Sequence, residues 1–111
     1  MEFEYKIKNN EVTITNHKGT SKDVIIPNTI ENVSVTTIGE YAFEINELTS
    51  IVLPETLTTI GEYAFRDNEL TSIVLPDKFQ TNKQVQSIFK FSLEELENRN
   101  RKFITPYMSK L

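Results

Sequence analysis

The 111-residue chain has no cysteine, no tryptophan, a single histidine and three glycines. Without cysteine there is neither a disulfide framework nor a thiolate metal site, and one histidine leaves zinc short of strong ligands. No metal and no cofactor is therefore expected. No stretch approaches the ~18 consecutive apolar residues of a membrane-spanning helix. The opening MEFEYKIKNN also lacks the apolar region of a secretory signal. A cytoplasmic protein is expected, or a secreted or cell-surface one if a signal peptide has been removed. Positive charge is scarce as well: 12 bases against 16 acids leave a net charge of −4. That balance opposes a counterion-release grip on nucleic acid, so neither nucleic acid nor membrane is expected as a partner. The acids crowd into residues 1–78, and residues 79–111 are mildly basic.

What the chain does have is a repeat. Val35–Thr56 reads VTTIGEYAFEINELTSIVLPET, and Leu57–Lys78 reads LTTIGEYAFRDNELTSIVLPDK, starting 22 residues later. The copies differ only at Val35/Leu57, Glu44/Arg66, Ile45/Asp67, Glu55/Asp77 and Thr56/Lys78. A period of roughly 20–29 residues predicts leucine-rich coils, each unable to bury its own apolar residues until it stacks on a neighbour. In LTSIVLP at 48–54, Leu48, Ile51 and Leu53 face inward, Ser50 and Val52 outward, and Pro54 ends the strand. Leu57 and Ile60 turn the coil back, with Gly61 supplying a backbone conformation that a side chain would penalise. Glu62–Phe65 reads as one helical turn burying Ala64 and Phe65, and Asn68 as a turn residue.

Ile38-Gly39-Glu40-Tyr41-Ala42-Phe43 followed by Leu48-Thr49-Ser50-Ile51-Val52-Leu53-Pro54 resembles the BspA-like, or treponemal-type, leucine-rich repeat, broadly L-x-x-I-x-L-P…L-x-x-I-G-x-x-A-F. The resemblance covers about residues 3–78. An earlier coil aligns Asp23–Pro27 with Ser50–Pro54 and Val35–Gly39 with Leu57–Gly61, with five extra residues between Pro27 and Gly39. The resemblance implies an α/β leucine-rich-repeat solenoid, in a family known mostly for surface and adhesion proteins.

Open ends of a solenoid need covering. Phe3–Lys8 and Val12–Thr15 alternate around Asn9-Asn10, which reads as a β-hairpin whose apolar face (Phe3, Tyr5, Ile7, Val12, Ile14) covers the first coil. After Asp77 no third IGEYAF follows. Thr81-x-x-Gln84 and Ser92-x-x-Glu95 have capping-box spacing, predicting helices around 82–89 (Val85, Ile88, Phe89 inward) and 93–103 (Leu93, Leu96, Phe103, Ile104). Tyr107, Met108 and Leu111 add apolar content beyond Pro106. The chain is thus expected to be one domain: a hairpin cap at 1–22, coils at 23–78 and a helical cap at 79–111. The last segment also reads as an amphipathic, basic arm for a partner or a second copy.

Catalytic chemistry has little support. His17 falls in Asn16-His17-Lys18-Gly19, read as a loop after the hairpin, with no partner base or acid evident in the sequence. Gly19-Thr20-Ser21-Lys22 lacks the G-x-x-x-x-G-K spacing of a phosphate loop. Asn32-Val33-Ser34 is a formal glycosylation sequon, without consequence inside a cell. No catalytic residue is expected, and the protein is read as non-enzymatic. Two features suit recognition. Ile25, Val52 and Val74 should form an outward apolar ladder beside Asp23, Ser50 and Ser72, on the strand face that solenoids use for partners. Stacking also sets Glu40 beside Glu62, Glu47 beside Glu69 and Glu55 beside Asp77, acid rows suited to a basic partner. The leading expectation is a protein-recognition module using this face, the basic C-terminal segment, or both, with a homodimer compatible with the same surfaces. A remnant of a surface repeat protein and a small acidic inhibitor of a nucleic-acid-handling enzyme are the alternatives.

Overall fold

The structure, a computed structural model, describes residues 3–101. Its strands are β1 (Phe3–Lys8), β2 (Glu11–His17), β3 (Asp23–Ile25), β4 (Thr29–Ile30), β5 (Val33–Ile38), β6 (Ser50–Val52), β7 (Thr59–Ile60) and β8 (Ser72–Val74). A 3-10 turn (Asp77–Phe79) and helices α1 (Asn82–Phe89) and α2 (Leu93–Arg101) follow.

The coils meet in register along two sides. On one side β3, β6 and β8 run parallel, pairing Asp23 with Ser50 and Ser72, Val24 with Ile51 and Ile73, and Ile25 with Val52 and Val74. On the other side β2, β5 and β7 run parallel, placing Ile14, Ile38 and Ile60 in line. Inside this wrap, Leu48, Ile51, Leu53, Leu57, Leu70, Ile73, Leu75 and Phe79 are buried in one continuous cluster. Each buried Leu, Ile or Phe contributes roughly 1.5–3 kcal/mol, and stacking is what removes both faces of a coil from water.

A column of rings runs through the stack. Phe43 lies over Phe65 at 5.0 Å between centroids, Phe65 over Phe89 at 5.7 Å, and Phe89 over Phe91 at 5.0 Å. The sequence signals Phe43 and Phe65 as the repeated member, whereas Phe89 and Phe91 join through the helical segment.

The repeated hexapeptide forms turns and no helix. Ala64 N–H donates to the Gly61 carbonyl and Arg66 N–H to the Tyr63 carbonyl, each at 3.2 Å, so two β-turns overlap. Tyr63 sits at φ 55°, which a helical turn does not allow. The first copy does the same, with Tyr41 at φ 59°. These turns point their N–H groups at the next coil: Phe43 donates to Ala64 (2.8 Å) and Ile45 to Arg66 (3.0 Å). A helical turn would spend those groups internally.

Gly61 also acts otherwise than expected, for no described glycine has a positive φ. It is there because the coils touch. A Cβ on Gly61 would lie 2.4 Å from the Glu40 nitrogen and 2.7 Å from the Gly39 carbonyl carbon. Close approach of backbone to backbone, rather than an unusual dihedral, is what requires glycine.

At the N-terminal end, β1 and β2 pair antiparallel around Asn9 and Asn10, both at positive φ (53° and 61°) as a type I′ turn requires. Val12 and Ile14 are buried, and Phe3 and Tyr5 pack partly buried against the core. Ile7 does not join them and remains exposed. The five extra residues of the first coil are accounted for by a second small hairpin. β4 and β5 pair antiparallel around Glu31 and Asn32, again both at positive φ.

At the other end Thr81 caps α1 by accepting from the Gln84 N–H at 3.2 Å, and Ser92 accepts from the Glu95 N–H at 3.0 Å. Val85, Ile88, Phe89 and Leu96 are buried as their spacing predicts, and Leu93 is partly buried. The expected contributions of Phe103, Ile104, Tyr107, Met108 and Leu111 lie outside the described residues.

Candidate functional site

The outward face of β3, β6 and β8 carries the expected ladder. Strand alternation buries Val24, Ile51 and Ile73, which forces their neighbours Ile25, Val52 and Val74 outward. Ile25 is 72% exposed and Val74 45%, with Val52 between them half-buried. Along the same face, Ser50 Oγ donates to Asp23 Oδ1 at 2.8 Å and Thr49 Oγ1 to the same oxygen at 3.2 Å. The hydroxyl row therefore holds the Asp23 carboxylate in place beside Ile25. Ser72 continues that row on β8.

The two edges of this sheet differ. On β8, the side chain of Asn100 accepts from the Ile73 N–H at 2.7 Å and donates to the Ile73 carbonyl at 2.9 Å. One buried amide thus replaces a neighbouring strand, and α2 closes the edge. Beside it, Arg99 donates to the Leu70 carbonyl (2.7 Å) and to Glu95 (2.8 Å) while lying over the Phe91 ring. Neither Asn100 nor Arg99 is legible in the sequence, because ENRNR looks like any solvated helix end. On β3, Ser21 Oγ donates to the Asp23 carbonyl at 2.8 Å, and the short strand has Lys22 just before it and Ile26-Pro27 just after it.

The acid rows are exposed, but they are not one site. Glu40 and Glu62 lie in the turns that follow β5 and β7. Glu47 and Glu69 precede β6 and β8, and Glu55 and Asp77 follow them, so these two pairs bracket the apolar ladder along the chain. Glu44 and Arg66 form an ion pair between the coils, half-buried on both sides, and Arg66 also lies 5.0 Å from the centre of the Tyr63 ring. One of the five differences between the copies is thereby turned into a contact.

His17 is not in a loop. It ends β2 and is buried, its ring stacked on Phe43 at 5.2 Å and its Nδ1 3.1 Å from Asn46 Oδ1. It is the first ring of the phenylalanine column, placed there by backbone pairing: His17 N–H donates to the Ala42 carbonyl at 3.1 Å. Asn46 has a counterpart in Asn68, which does more than make a turn. Asn68 Oδ1 accepts from the N–H groups of Asn46 (2.9 Å) and Leu48 (3.0 Å), and its Nδ2 donates to the carbonyls of Phe43 (2.8 Å) and Phe65 (3.0 Å). The retention of asparagine in both copies was the available signal for this bracket. Among the described residues no group of three or more His, Cys, Asp or Glu could hold a metal. No helix among them is long and apolar enough to cross a membrane.

Comparison with known proteins agrees with this geometry. The profile of the BspA type leucine rich repeat region, in six copies, matches residues 16–100. No curated protein matches the chain. A solved structure, the crystal structure of the T. pallidum leucine rich repeat protein, is similar with a TM-score of 0.63 and 30% identity over 68% of this chain. The chain spans 37% of the length of that protein. Period, stacked strands and family profile coincide, and the chain belongs to the BspA-type leucine-rich repeat family.

Proposed function

We propose that this chain is a short solenoid, closed by the β1–β2 hairpin at one end and by α1 and α2 at the other. Its work is to capture a protein partner on the outward face of β3, β6 and β8. Leucine-rich repeats generally mediate protein–protein contact, and the family is typically non-enzymatic. The observation that carries the reading is the in-register row Ile25–Val52–Val74, which offers apolar area to solvent on a rigid sheet. A row three strands wide falls short of the roughly 800 Å² per partner of a standard interface, which suits a weak, exchangeable contact.

A photo-crosslinking residue at position 52 or 74, compared with one at exposed Thr59 on the other sheet, tests this in the host cell. Discrete protein adducts are expected from the first two positions and not from the third. Val52→Lys combined with Val74→Lys should retain the fold by circular dichroism and abolish adducts formed through position 25. Adducts equal at all three positions, or no adduct at any, would overturn the proposal.

A further inference from the structure

Resting on that reading, we infer that the partner segment is a cationic amphipathic helix lying across the three strands, along the direction of stacking. The spacing of the ladder selects the helix. Adjacent strands lie about 4.8 Å apart, so Ile25, Val52 and Val74 rise in steps close to the ~5.4 Å turn of an α-helix. Apolar residues at i, i+3 or i+4, and i+7 span about 10.5 Å at ~1.5 Å per residue, against about 9.6 Å for two strand steps. An extended segment along the same line repeats its side chains every ~6.6–6.8 Å and falls out of step by the third strand.

Pairing of an extended segment with the free edge of β3 is opposed by the edge itself. It is three residues long, Lys22 precedes it, Pro27 stands just beyond Ile26, and Ser21 already occupies the Asp23 carbonyl. The face, by contrast, is open. Ser50 and Ser72 are small, so a cylinder can settle on the ladder without steric conflict.

Charge selects the sign. The strand segments 22–25, 47–55 and 69–78 carry Asp23, Glu47, Glu55, Glu69 and Asp77 against Lys22 and Lys78. Lys78 is engaged, its Nζ donating to the Glu55 carbonyl at 3.1 Å. Glu47 and Glu69 precede the strands, and Glu55 and Asp77 follow them. A helix whose apolar stripe sits on Ile25, Val52 and Val74 thus meets carboxylates on both flanks, where lysine and arginine stems can lie along the sheet and extend their charged ends. Helices with an apolar stripe bordered by Lys or Arg on both sides satisfy stripe and flanks together.

The test uses the full chain and two fluorescent leucine–lysine peptides of about two heptads. They share one composition, and differ in that one spaces its leucines helically while the other alternates leucine with lysine. The helical-period peptide is expected to bind by anisotropy, and the alternating isomer at least about tenfold more weakly. Joint Ile25→Thr, Val52→Thr and Val74→Thr, which keeps β-branching at outward-facing positions, should weaken binding by about tenfold. Glu55→Gln with Asp77→Asn should weaken it by about threefold and flatten its salt dependence. Equal binding of the two isomers, failure of the helical-period peptide to bind, or indifference to the threonine variant would overturn the inference. If positions 52 and 74 still crosslink a protein while the peptides fail, only the partner class falls. If those positions crosslink nothing, recognition by this face falls as well.

Discussion

At the N-terminal end of the stack a strand, β2, takes the place of a missing coil; at the C-terminal end a helix, α1, does so. β2 imitates a coil faithfully. Ile14 pairs with Ile38 as Ile38 pairs with Ile60, and Gly39 N–H donates to the Ile14 carbonyl (2.8 Å) as Gly61 N–H does to Ile38 (2.7 Å). Helix α1 has no such homology of shape. It succeeds because the last carbonyls of any α-helix have no partner within it. Ser87 and Ile88, near the end of α1, accept from the N–H groups of Tyr63 (2.6 Å) and Phe65 (3.1 Å), which the turns of the last coil leave pointing outward. Two unmet needs are satisfied by one interface. The lesson is that a coil asks its neighbour for acceptors at fixed points and an aromatic ring in line, not for a particular secondary structure.

The two ends should therefore differ in how hard they are to break. Phe89→Ala removes a fully enclosed ring under Phe65 and is expected to cost about 3–5 kcal/mol in denaturant unfolding. Phe3→Ala removes a partly buried ring at the opposite end and should cost less than half as much. Equal losses would mean that the hairpin is as integral to the core as the helix. Asn100→Ala comes next. It strands the buried Ile73 N–H and carbonyl, at about 1–3 kcal/mol for such groups, and should raise aggregation as the β8 edge opens. Light scattering unchanged from the parent chain would show that α2 shields the edge without the amide.

Glycine substitutions sharpen the contrast between coil-on-coil and hairpin-on-coil packing. Gly61→Ala places a methyl 2.4 Å from backbone and should cost about 1–3 kcal/mol. Gly39→Ala meets the Ile14 carbonyl oxygen at 3.3 Å and Thr15 Cα at an ordinary 3.8 Å and should cost less, as a thermal melt of the pair would reveal. The smallest effect concerns Tyr5, whose phenol donates to the Glu31 carboxylate between the two N-terminal hairpins. That hydrogen bond, then burial, then the Glu31 charge raise the phenol above its ordinary value of 10.0. A group raised on folding contributes stability below its unfolded value and loses it as pH climbs through the folded one, so the loss falls at strongly alkaline pH. Glu31→Gln should return the phenol towards its ordinary range, measured by phenolate absorbance with the other tyrosines replaced by phenylalanine.

Much of the fold was legible. Near-identity at a fixed period predicts in-register stacking, and inward Ile51 and outward Val52 follow from alternation alone. Helix starts at Thr81 and Ser92 were equally readable, because a cap is a local hydrogen bond between residues three apart. The errors share a cause. Glu62–Phe65 as a helix, Gly61 as a conformational exception and His17 as a loop residue are each corrected by a contact with another coil, which no local pattern records. The residues proposed for recognition divide in the same way: the sequence places Ile25, Val52 and Val74 in one row, while Glu40 and Glu62 belong to turns elsewhere on the coil.

By itself the sequence determined the repeat, the strand face each residue takes and the helix caps, because these depend on period and on groups a few bonds apart. The tertiary structure alone decided that a histidine would open a column of phenylalanines, that a helix would serve as the last coil, and that Asn100 would close the β8 edge. Those outcomes depend on backbone groups left unmet by one coil and answered by residues far along the chain, at positions set only once the coils have stacked.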